Sequence, residues 1–178
     1  MKLFIEMEDV LCDVSTAIAA ILELPVVLDC LGHPKGCTKA KKDEALSLQP
    51  ASFWKELTPL PEFNDIRSAL LESGIAIQVL TSNYLGDSES GKKAWLAKYF
   101  PESKLTLIKN KHVLATRDST LIDTHPGDLQ AFQRAGGQTI LIPQPWQPNY
   151  KPQKDIKQFL TDRIAAVSAL VAGNTLRN

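Results

Sequence analysis

The chain has 178 residues, and its 20 lysine and arginine residues balance 20 aspartate and glutamate residues, so the formal net charge is zero. Hydrophobic residues make up 44% and charged residues 22%, which excludes a disordered or fibrous chain and fits one globular domain with room for a small insertion. The neutral balance also argues against a protein that grips a nucleic-acid polymer, because that task needs a clustered positive surplus. We therefore expect any phosphate-bearing partner to be a small molecule.

The cysteine content and the N-terminus predict a reduced, cytoplasmic, soluble protein. Three cysteines are too few for a disulfide scaffold: Cys12, Cys30 and Cys37. Glu6 follows three apolar residues at the N-terminus and interrupts any signal-peptide core. The apolar stretch over residues 14–28 is broken by Glu23 and Pro25, so we expect no membrane span.

The first part of the chain predicts a buried strand and then an insertion. Residues 3–5 form a short apolar run that ends at Glu6. Ser15 or Thr16 is placed to cap a helix that runs to residue 22 and stops at Pro25. Glycine, proline and lysine then interrupt any long period, which predicts an irregular, mostly helical cap over residues 15–61. The core domain would comprise residues 1–14 and 62–178.

The second part of the chain alternates between helical and strand patterns. Helices are predicted over residues 62–73, 92–100, 126–135 and 154–171, and strands over 75–80, 105–108, 120–122 and 139–142. Strands that alternate with helices of this length indicate an α/β fold with a three-layer, Rossmann-like parallel sheet. In such sheets the ligand lies beyond the carboxyl ends of the strands.

The residues that follow each predicted strand combine acids, hydroxyls and lysine. These clusters occupy positions 6–9, 81–83, 109–111 and 123–125. Carboxylate oxygens suit a hard cation, and lysine neutralises phosphate oxygens. The order predicts one site for Mg²⁺ and a phosphate group.

Several motifs carry a family resemblance. They are Glu6-Met7-Glu8-Asp9-Val10-Leu11-Cys12-Asp13, Phe53-Trp54, Leu57 with Pro59-Leu60-Pro61, Leu80-Thr81-Ser82, Lys93-Ala94-Trp95-Leu96, Lys98-Tyr99-Phe100, Lys111, and Leu121-Ile122-Asp123 with Pro126. In this order they resemble the haloacid dehalogenase superfamily of phosphotransferases. Within it they are most similar to the 5′(3′)-deoxyribonucleotidases. The similarity runs from Lys2 to about Trp146, and residues 15–60 match as an inserted cap.

The resemblance implies a Mg²⁺-dependent phosphomonoesterase that hydrolyses a nucleoside monophosphate through an acyl phosphate. Glu6 would be the nucleophile and a metal ligand. Glu8 would be the general acid, with its carbonyl on the metal. Thr81 and Ser82 would bind the phosphoryl group, Lys111 would pair with phosphate and nucleophile, and Asp123 would bind Mg²⁺.

This chain departs from the family pattern at three acids. Glu6 and Glu8 stand where the family has aspartate, and Thr124 replaces the second acid of the Asp-Asp pair after the fourth strand. An added methylene displaces a carboxylate, and a misplacement of about 1 Å can cost on the order of 100-fold in rate. Asp128, five positions after Asp123, is a candidate replacement ligand, and Asp9 adds a carboxylate where the family has glycine. We expect an impaired or retuned enzyme, and we expect that returning aspartate to position 6, alone or with position 8, raises activity.

Other interpretations stay open beside this one. Residues 81–83 could cap a helix, and Lys109 competes with Lys111 for the lysine role. Cys30, His33 and Cys37 have zinc-ligand chemistry but no evident fourth ligand, so a chance loop is the favoured interpretation. His112 and His125 neighbour the candidate site, and His125 at a strand end favours a local hydrogen bond.

The cap supplies candidates for substrate contacts. Phe53 and Trp54 could stack on a base or could anchor the cap, and the lysines at 39, 41 and 42 could form a solvated face or steer an anionic substrate. The partner would be a small phosphorylated substrate, with neither a nucleic-acid polymer nor a membrane, and a homodimer stays open. The alternative function is a catalytically silent relative that binds a nucleotide or a protein in the same cleft.

Overall fold

A computed structural model describes residues 1–29, 34–84, 87–147 and 150–175. The described residues form one parallel sheet from β1 (Lys2–Glu6), β2 (Ile77–Thr81), β3 (Lys104–Leu107), β4 (Ser119–Asp123) and β5 (Gln138–Leu141). The strand order is β3-β2-β1-β4-β5. The chain therefore builds outward from β1 in one direction and then in the other, and this topological switch lies between β1 and β4. Sheets of this kind bind ligands at the carboxyl end of the switch.

Helices connect the strands, as the alternating pattern predicts. They are α1 (Val14–Ile21), α2 (Lys39–Ser47), α3 (Ala51–Glu56), α4 (Phe63–Glu72), α5 (Ser88–Tyr99), α6 (Pro126–Arg134), α7 (Ile156–Thr175) and a short 3-10 helix at Lys111–Leu114. None of the described helices combines the length and the apolar character that a membrane span requires.

Both faces of the sheet are covered, so the fold has three layers. Leu3 and Ile5 of β1 pack into a large apolar cluster with residues of α1, α3, α4, α5 and α7. Phe4 points to the opposite face of the sheet and packs against Leu121 of β4 and Phe132 of α6. Side chains that alternate between two buried faces are typical of a central parallel strand. The α/β fold with a three-layer parallel sheet is confirmed.

Some element boundaries differ from the predicted ones. β2 begins at Ile77 rather than at residue 75 and includes Thr81, which the sequence placed in a turn. α5 begins four residues earlier than predicted, at Ser88. The N-cap of α1 is Asp13, whose carboxylate accepts a hydrogen bond from the Thr16 backbone N–H at 3.0 Å, rather than Ser15 or Thr16. Ser15 is buried instead and bonds to Asp9.

The described part of residues 15–61 contains most of α1 together with α2 and α3. Val14 and Ile18 of α1 and Trp54 of α3 share one apolar cluster with β1, so this segment packs directly on the core. That this segment forms a separate cap stays a prediction. Cys30 and His33 of the zinc interpretation lie outside the described residues, and Cys37 is buried with a free thiol.

Candidate active site

Three neighbouring strands end at one edge of the sheet, and each brings a polar side chain there. Glu6 is the last residue of β1, Thr81 of β2 and Asp123 of β4. β1 lies between the other two strands, so Glu6 occupies the centre. All three residues are buried. Parallel pairing thus brings to Glu6 two residues that lie 75 and 117 positions away in the chain.

Lys111 joins the acids of this edge. Its ammonium lies 2.7 Å from Asp123 Oδ2 and 2.7 Å from Asp128 Oδ2, and it also pairs with Glu6 Oε2. Burial alone would lower the pKa of Lys111, but the three carboxyl groups raise it well above its ordinary value. Lys111 is thus the lysine that reaches these acids, whereas Lys109 is exposed.

Glu6 has donors on both of its oxygens. Oε1 accepts hydrogen bonds from the backbone N–H groups of Met7 at 2.8 Å and Glu8 at 3.3 Å, while Oε2 faces Lys111. Burial nevertheless raises the pKa of Glu6 well above its ordinary range, against the opposing charge of Lys111. The neighbouring Glu8 carboxylate adds to this rise, because like charges disfavour a second ionised group.

Glu8 lies in a different environment two residues later. Its Oε1 accepts hydrogen bonds from Thr81 Oγ1 at 2.5 Å and from the ammonium of Lys92 at 2.5 Å. Burial opposes the ionised form here as well, but Lys92 and the hydrogen bonds from Glu6 and Thr81 prevail and lower the pKa of Glu8 below its ordinary range. The pKa values of the two glutamates are thus shifted in opposite directions.

The acids next to Lys111 have the chemistry of a divalent-cation site. Glu6, Asp123 and Asp128 each offer a carboxylate oxygen, and these oxygens all lie within 4.8 Å of one another. Oxygen ligands of this kind suit Mg²⁺ or another hard cation. Asp123 is fully buried, and burial alone would raise its pKa, but Lys111 and a hydrogen bond from His125 lower it. A deprotonated, fixed carboxylate is the form that a metal binds.

A polar cleft of about 130 Å³ opens above these residues. On the side of α2 it is lined by Lys39, Lys42 and Asp43, and Tyr84 forms an aromatic wall. Lys42 is buried and bonds to Asp9 Oδ2 at 3.1 Å, which links α2 to the loop that carries the two glutamates.

The structure brings most of the predicted site residues together. The cleft is lined by Glu6, Glu8, Ser82, Lys111, His125 and Asp128, with Thr81 and Asp123 directly beneath. His125 makes local contacts, because its backbone N–H and ring face Asp123 Oδ1 at 3.0 and 3.4 Å. The carbonyl of Thr124 accepts a hydrogen bond from Gln147, and its hydroxyl bonds to His125.

Two predicted substrate contacts lie away from the cleft. Trp54 is fully buried and stacks on Tyr84, with ring centroids 5.3 Å apart. Phe53 lines a separate hollow beside α1. This placement favours the interpretation in which the two rings anchor their own segment, and Tyr84 is the aromatic ring that lines the cleft.

Sequence reasoning missed Lys92, which bonds to both Glu8 and Thr81. A signal was present, because Lys92 occupies the same helical face as Trp95, Leu96 and Tyr99, at spacings of three, four and seven residues. A lysine on an apolar helical face needs a buried partner. Tyr84 had no comparable signal, and Lys42, which the sequence placed on a solvated or substrate-steering face, is buried.

Comparisons with known proteins support the fold. No family model matches the chain, and no curated protein matches it. Among solved structures, one described as a dehalogenase is 16% identical, with a TM-score of 0.53 over 86% of this chain and 90% of that one. Another, described as a dehalogenase with an intermediate complex, is 14% identical, with a TM-score of 0.55 over 88% and 89% of the two chains. The haloacid dehalogenase-like fold is thereby confirmed, whereas the deoxyribonucleotidase family stays a prediction.

Proposed function

We propose that this protein is a Mg²⁺-dependent phosphomonoesterase with (deoxy)nucleoside monophosphates as its substrates. The observation that carries the proposal is the convergence of Glu6, Asp123 and Asp128 on Lys111 at the topological switch of the sheet. The nucleotide preference rests on the motif resemblance.

The reaction would proceed in two displacements. A Glu6 oxygen attacks phosphorus, the bond to the ester oxygen breaks, and the proton that Glu6 holds in its hydrogen bond to Glu8 passes through Glu8 to the departing alkoxide. Water then attacks the phosphorus of the acyl phosphate and gives a proton to Glu8. Inorganic phosphate leaves, and the Glu6 carboxylate is restored.

The remaining site residues would neutralise and orient the phosphoryl group. Lys111 faces the Glu6 oxygen and can pair with a phosphoryl oxygen beside it. Thr81 and Ser82 would offer hydroxyl and backbone donors from the end of β2. Glu6, Asp123 and Asp128 would hold Mg²⁺, which supplies positive charge next to the transferring phosphoryl group. That charge would also favour ionised Glu6 against the effect of burial.

The chemistry of the second glutamate supports phosphoester cleavage over release of a halide. A halide leaves as a stable anion and needs no proton, whereas an alkoxide leaves readily only when it is protonated. Glu8 lies next to Glu6 in the same cleft and accepts a hydrogen bond from it, so that it can relay the Glu6 proton to the alkoxide. The likeness to dehalogenases therefore serves as support for the fold only.

The test is phosphate release from p-nitrophenyl phosphate and from deoxynucleoside monophosphates, with Mg²⁺ and with EDTA. We expect turnover that requires Mg²⁺ and that falls by about 100-fold or more in Asp123→Asn, because the site loses one of its two buried carboxylate ligands. Asp118→Asn is the matched control, since Asp118 is exposed in the loop before β4. A wild-type protein that releases no phosphate from any of these esters would refute the proposal.

A silent nucleotide-binding relative is the second candidate. The features that favour it are the raised pKa of Glu6, which weakens a carboxylate nucleophile at neutral pH, and Thr124 in place of a second acid. A nucleotide would then raise the melting temperature without any turnover. Such a result, in the same samples as the phosphate assay, would replace the enzymatic proposal with this one.

A further inference from the structure

Tyr84 gives the cleft its flat apolar surface. The other described residues that line the cleft are acids, lysines, Ser82 and His125. The His125 ring lies 3.4 Å from Asp123 and contacts that acid. An apolar ring of a ligand in this cleft would therefore find an uncharged aromatic partner at Tyr84.

The Tyr84 ring is supported from within the protein. Trp54 has no exposed surface and stacks on it, with ring centroids 5.3 Å apart and planes 15° apart. The Lys92 ammonium adds a contact 4.8 Å from the Tyr84 ring centroid. Tyr84 itself is only partly buried, and it lines the cleft. The ring is thus packed on the protein interior and still accessible from the cleft.

The backbone of Tyr84 is held by Ser88, the first residue of α5. Ser88 has no exposed surface, and its hydroxyl accepts a hydrogen bond from the Tyr84 N–H at 3.2 Å. The same hydroxyl lies 3.1 Å from the Tyr84 carbonyl oxygen, to which it can donate. Trp54 is held as well, since an added Cβ on Gly91 of α5 would lie 2.6 Å from the Trp54 Cβ. A ring that is already fixed loses little freedom when a ligand packs on it, so binding costs less.

Tyr84 is also close to the proposed phosphoryl site. Thr81 ends β2, the strand that pairs with β1 and its terminal Glu6. Tyr84 follows three residues after Thr81, so the chain between them spans at most about 10 Å. Glu6, Lys111 and Tyr84 line the same cleft. A phosphoryl group at the end of β2 and a flat ring on Tyr84 can therefore belong to one small ligand.

We propose that Tyr84 is a specificity-determining residue that stacks on the nucleobase and so selects phosphomonoesters whose alcohol carries a planar ring. The inference rests on the proposed function, because it concerns the substrate of that same site. Stacking uses the ring faces that every base has, so Tyr84 would accept more than one base. The base contact predicted for Phe53 and Trp54 would thus come from the segment after β2, with Trp54 as its support.

The test compares two esters that share a leaving group and differ in the base. Thymidine 5′-monophosphate and methyl 2-deoxyriboside 5-phosphate both release a primary alkoxide of the same sugar, but only the first carries a nucleobase. The value of kcat/KM for phosphate release with Mg²⁺ is measured for wild type, Tyr84→Phe and Tyr84→Leu. The matched control is Tyr150→Leu, which changes an exposed tyrosine outside the described lining of the cleft.

We expect wild type to favour the thymidine ester by about tenfold or more in kcat/KM, as is usual for one base on an aromatic side chain. Tyr84→Phe keeps the ring and should keep this preference. Tyr84→Leu should lose the preference because its kcat/KM falls on the thymidine ester and changes little on the abasic ester. Tyr150→Leu should match wild type on both esters.

Three outcomes would overturn the inference and leave the proposed function standing. The first is equal wild-type kcat/KM on the two esters. The second is an equal loss on both esters in Tyr84→Leu, because a disturbed Lys92 and Glu8 would slow every ester. The third is loss of the preference in Tyr84→Phe, which would assign it to the hydroxyl. Phosphate release from neither ester would instead refute the proposed function, and this inference with it.

A comparison on wild type alone keeps the inference testable if Tyr84→Leu does not fold. The base of 5,6-dihydrothymidine 5′-monophosphate keeps the carbonyls and the N–H groups of thymine, but its ring is puckered and no longer aromatic. We expect kcat/KM to be about fivefold or more lower for this ester than for thymidine 5′-monophosphate, because the stacked contact is lost. Equal values for the two esters would show that no ring in the cleft stacks on the base.

Discussion

Glu6 and Glu8 are the same type of residue and lie two positions apart, yet each pairs with a different lysine. Lys111 pairs with Glu6 together with two further acids, whereas Lys92 pairs with Glu8 alone among the described acids. Positive charge per carboxyl group is therefore lower around Glu6. This difference, together with burial, explains why the pKa of Glu6 rises while that of Glu8 falls.

Glu6→Asp should raise Mg²⁺-dependent turnover. The shorter side chain withdraws the carboxylate by about 1.5 Å. This is the reach of the aspartate that the family motif has at this position. Because misplacements of about 1 Å can cost on the order of 100-fold, we expect a gain of about tenfold or more in kcat. Steady-state kinetics with p-nitrophenyl phosphate measure it. A lower kcat in Glu6→Asp would mean that the site has adapted to glutamate at both positions.

The contacts of Glu8 change the expectation for the second acid. The motif resemblance predicted that aspartate at positions 6 and 8 together would raise activity. The Glu8 carboxylate needs the full length of the glutamate side chain to reach both Thr81 and Lys92. The shorter aspartate at position 8 should therefore cancel the gain from position 6. The two single variants and the double variant separate these effects.

Lys111→Met should destabilise the protein in a way that Mg²⁺ partly reverses. Without the ammonium, Glu6, Asp123 and Asp128 repel one another in a largely buried site. We expect the free energy of unfolding to fall by about 3 kcal/mol, the usual cost of breaking a buried ion pair. Urea denaturation with and without Mg²⁺ measures it, and Lys109→Met is the exposed control. If Mg²⁺ restored none of the loss, these acids would not be its ligands.

At the scale of elements, α3 and α5 pack unusually closely behind the site. An added Cβ on Gly91 would lie 2.6 Å from the Trp54 Cβ and closer still to the Ala51 carbonyl oxygen. Real Cβ atoms do not approach so closely, so glycine is what allows these helices to pack. Behind this contact Trp54 stacks on Tyr84, and the Lys92 ammonium lies against both rings.

Gly91→Ala should therefore cost stability despite the higher helix propensity of alanine. We expect a loss of about 1–3 kcal/mol in the free energy of unfolding, because the methyl group separates α5 from α3. Gly127→Ala in α6 is the matched control, since a Cβ there meets no atom within 4 Å. It should be neutral or stabilising by up to about 1 kcal/mol. Equal effects of the two changes would argue against the close α3–α5 contact.

At the scale of the whole molecule, a buried ion pair connects α2 to the loop of the two glutamates. Asp9 has a left-handed backbone, with φ of 57°, and its carboxylate accepts from the Ser15 N–H at 2.8 Å, the Ser15 hydroxyl at 2.7 Å and Lys42 at 3.1 Å. The position where the resemblance has glycine thus carries an acid that Lys42 neutralises.

Asp9→Gly should destabilise the protein although glycine suits the backbone at this position. Relief of the left-handed strain is worth about 1 kcal/mol, whereas an unpaired buried ammonium at Lys42 costs about 3 kcal/mol or more. We expect a net loss of about 2 kcal/mol in urea denaturation. The double variant Asp9→Gly/Lys42→Met should recover most of it. A single variant as stable as wild type would show that the ion pair does not hold α2 in place.

The sequence alone determined the fold and half of the site. Apolar runs that alternate with helical periods specify the parallel sheet, and parallel strands place their carboxyl ends at one edge, so Glu6, Thr81 and Asp123 could be placed together from strand order. Position after the strand left Lys109 and Lys111 both open, and the family resemblance favoured Lys111.

Only the tertiary structure decided which charges neutralise which acids. Glu8 and Lys92 are 84 residues apart, and Asp9 and Lys42 are 33 apart. Such pairs depend on which helical face meets the sheet edge and at what depth, and this follows from the packing of α2, α3 and α5 rather than from any local pattern. The same packing buries Trp54 as a ring face for Lys92 and leaves Tyr84 to line the cleft.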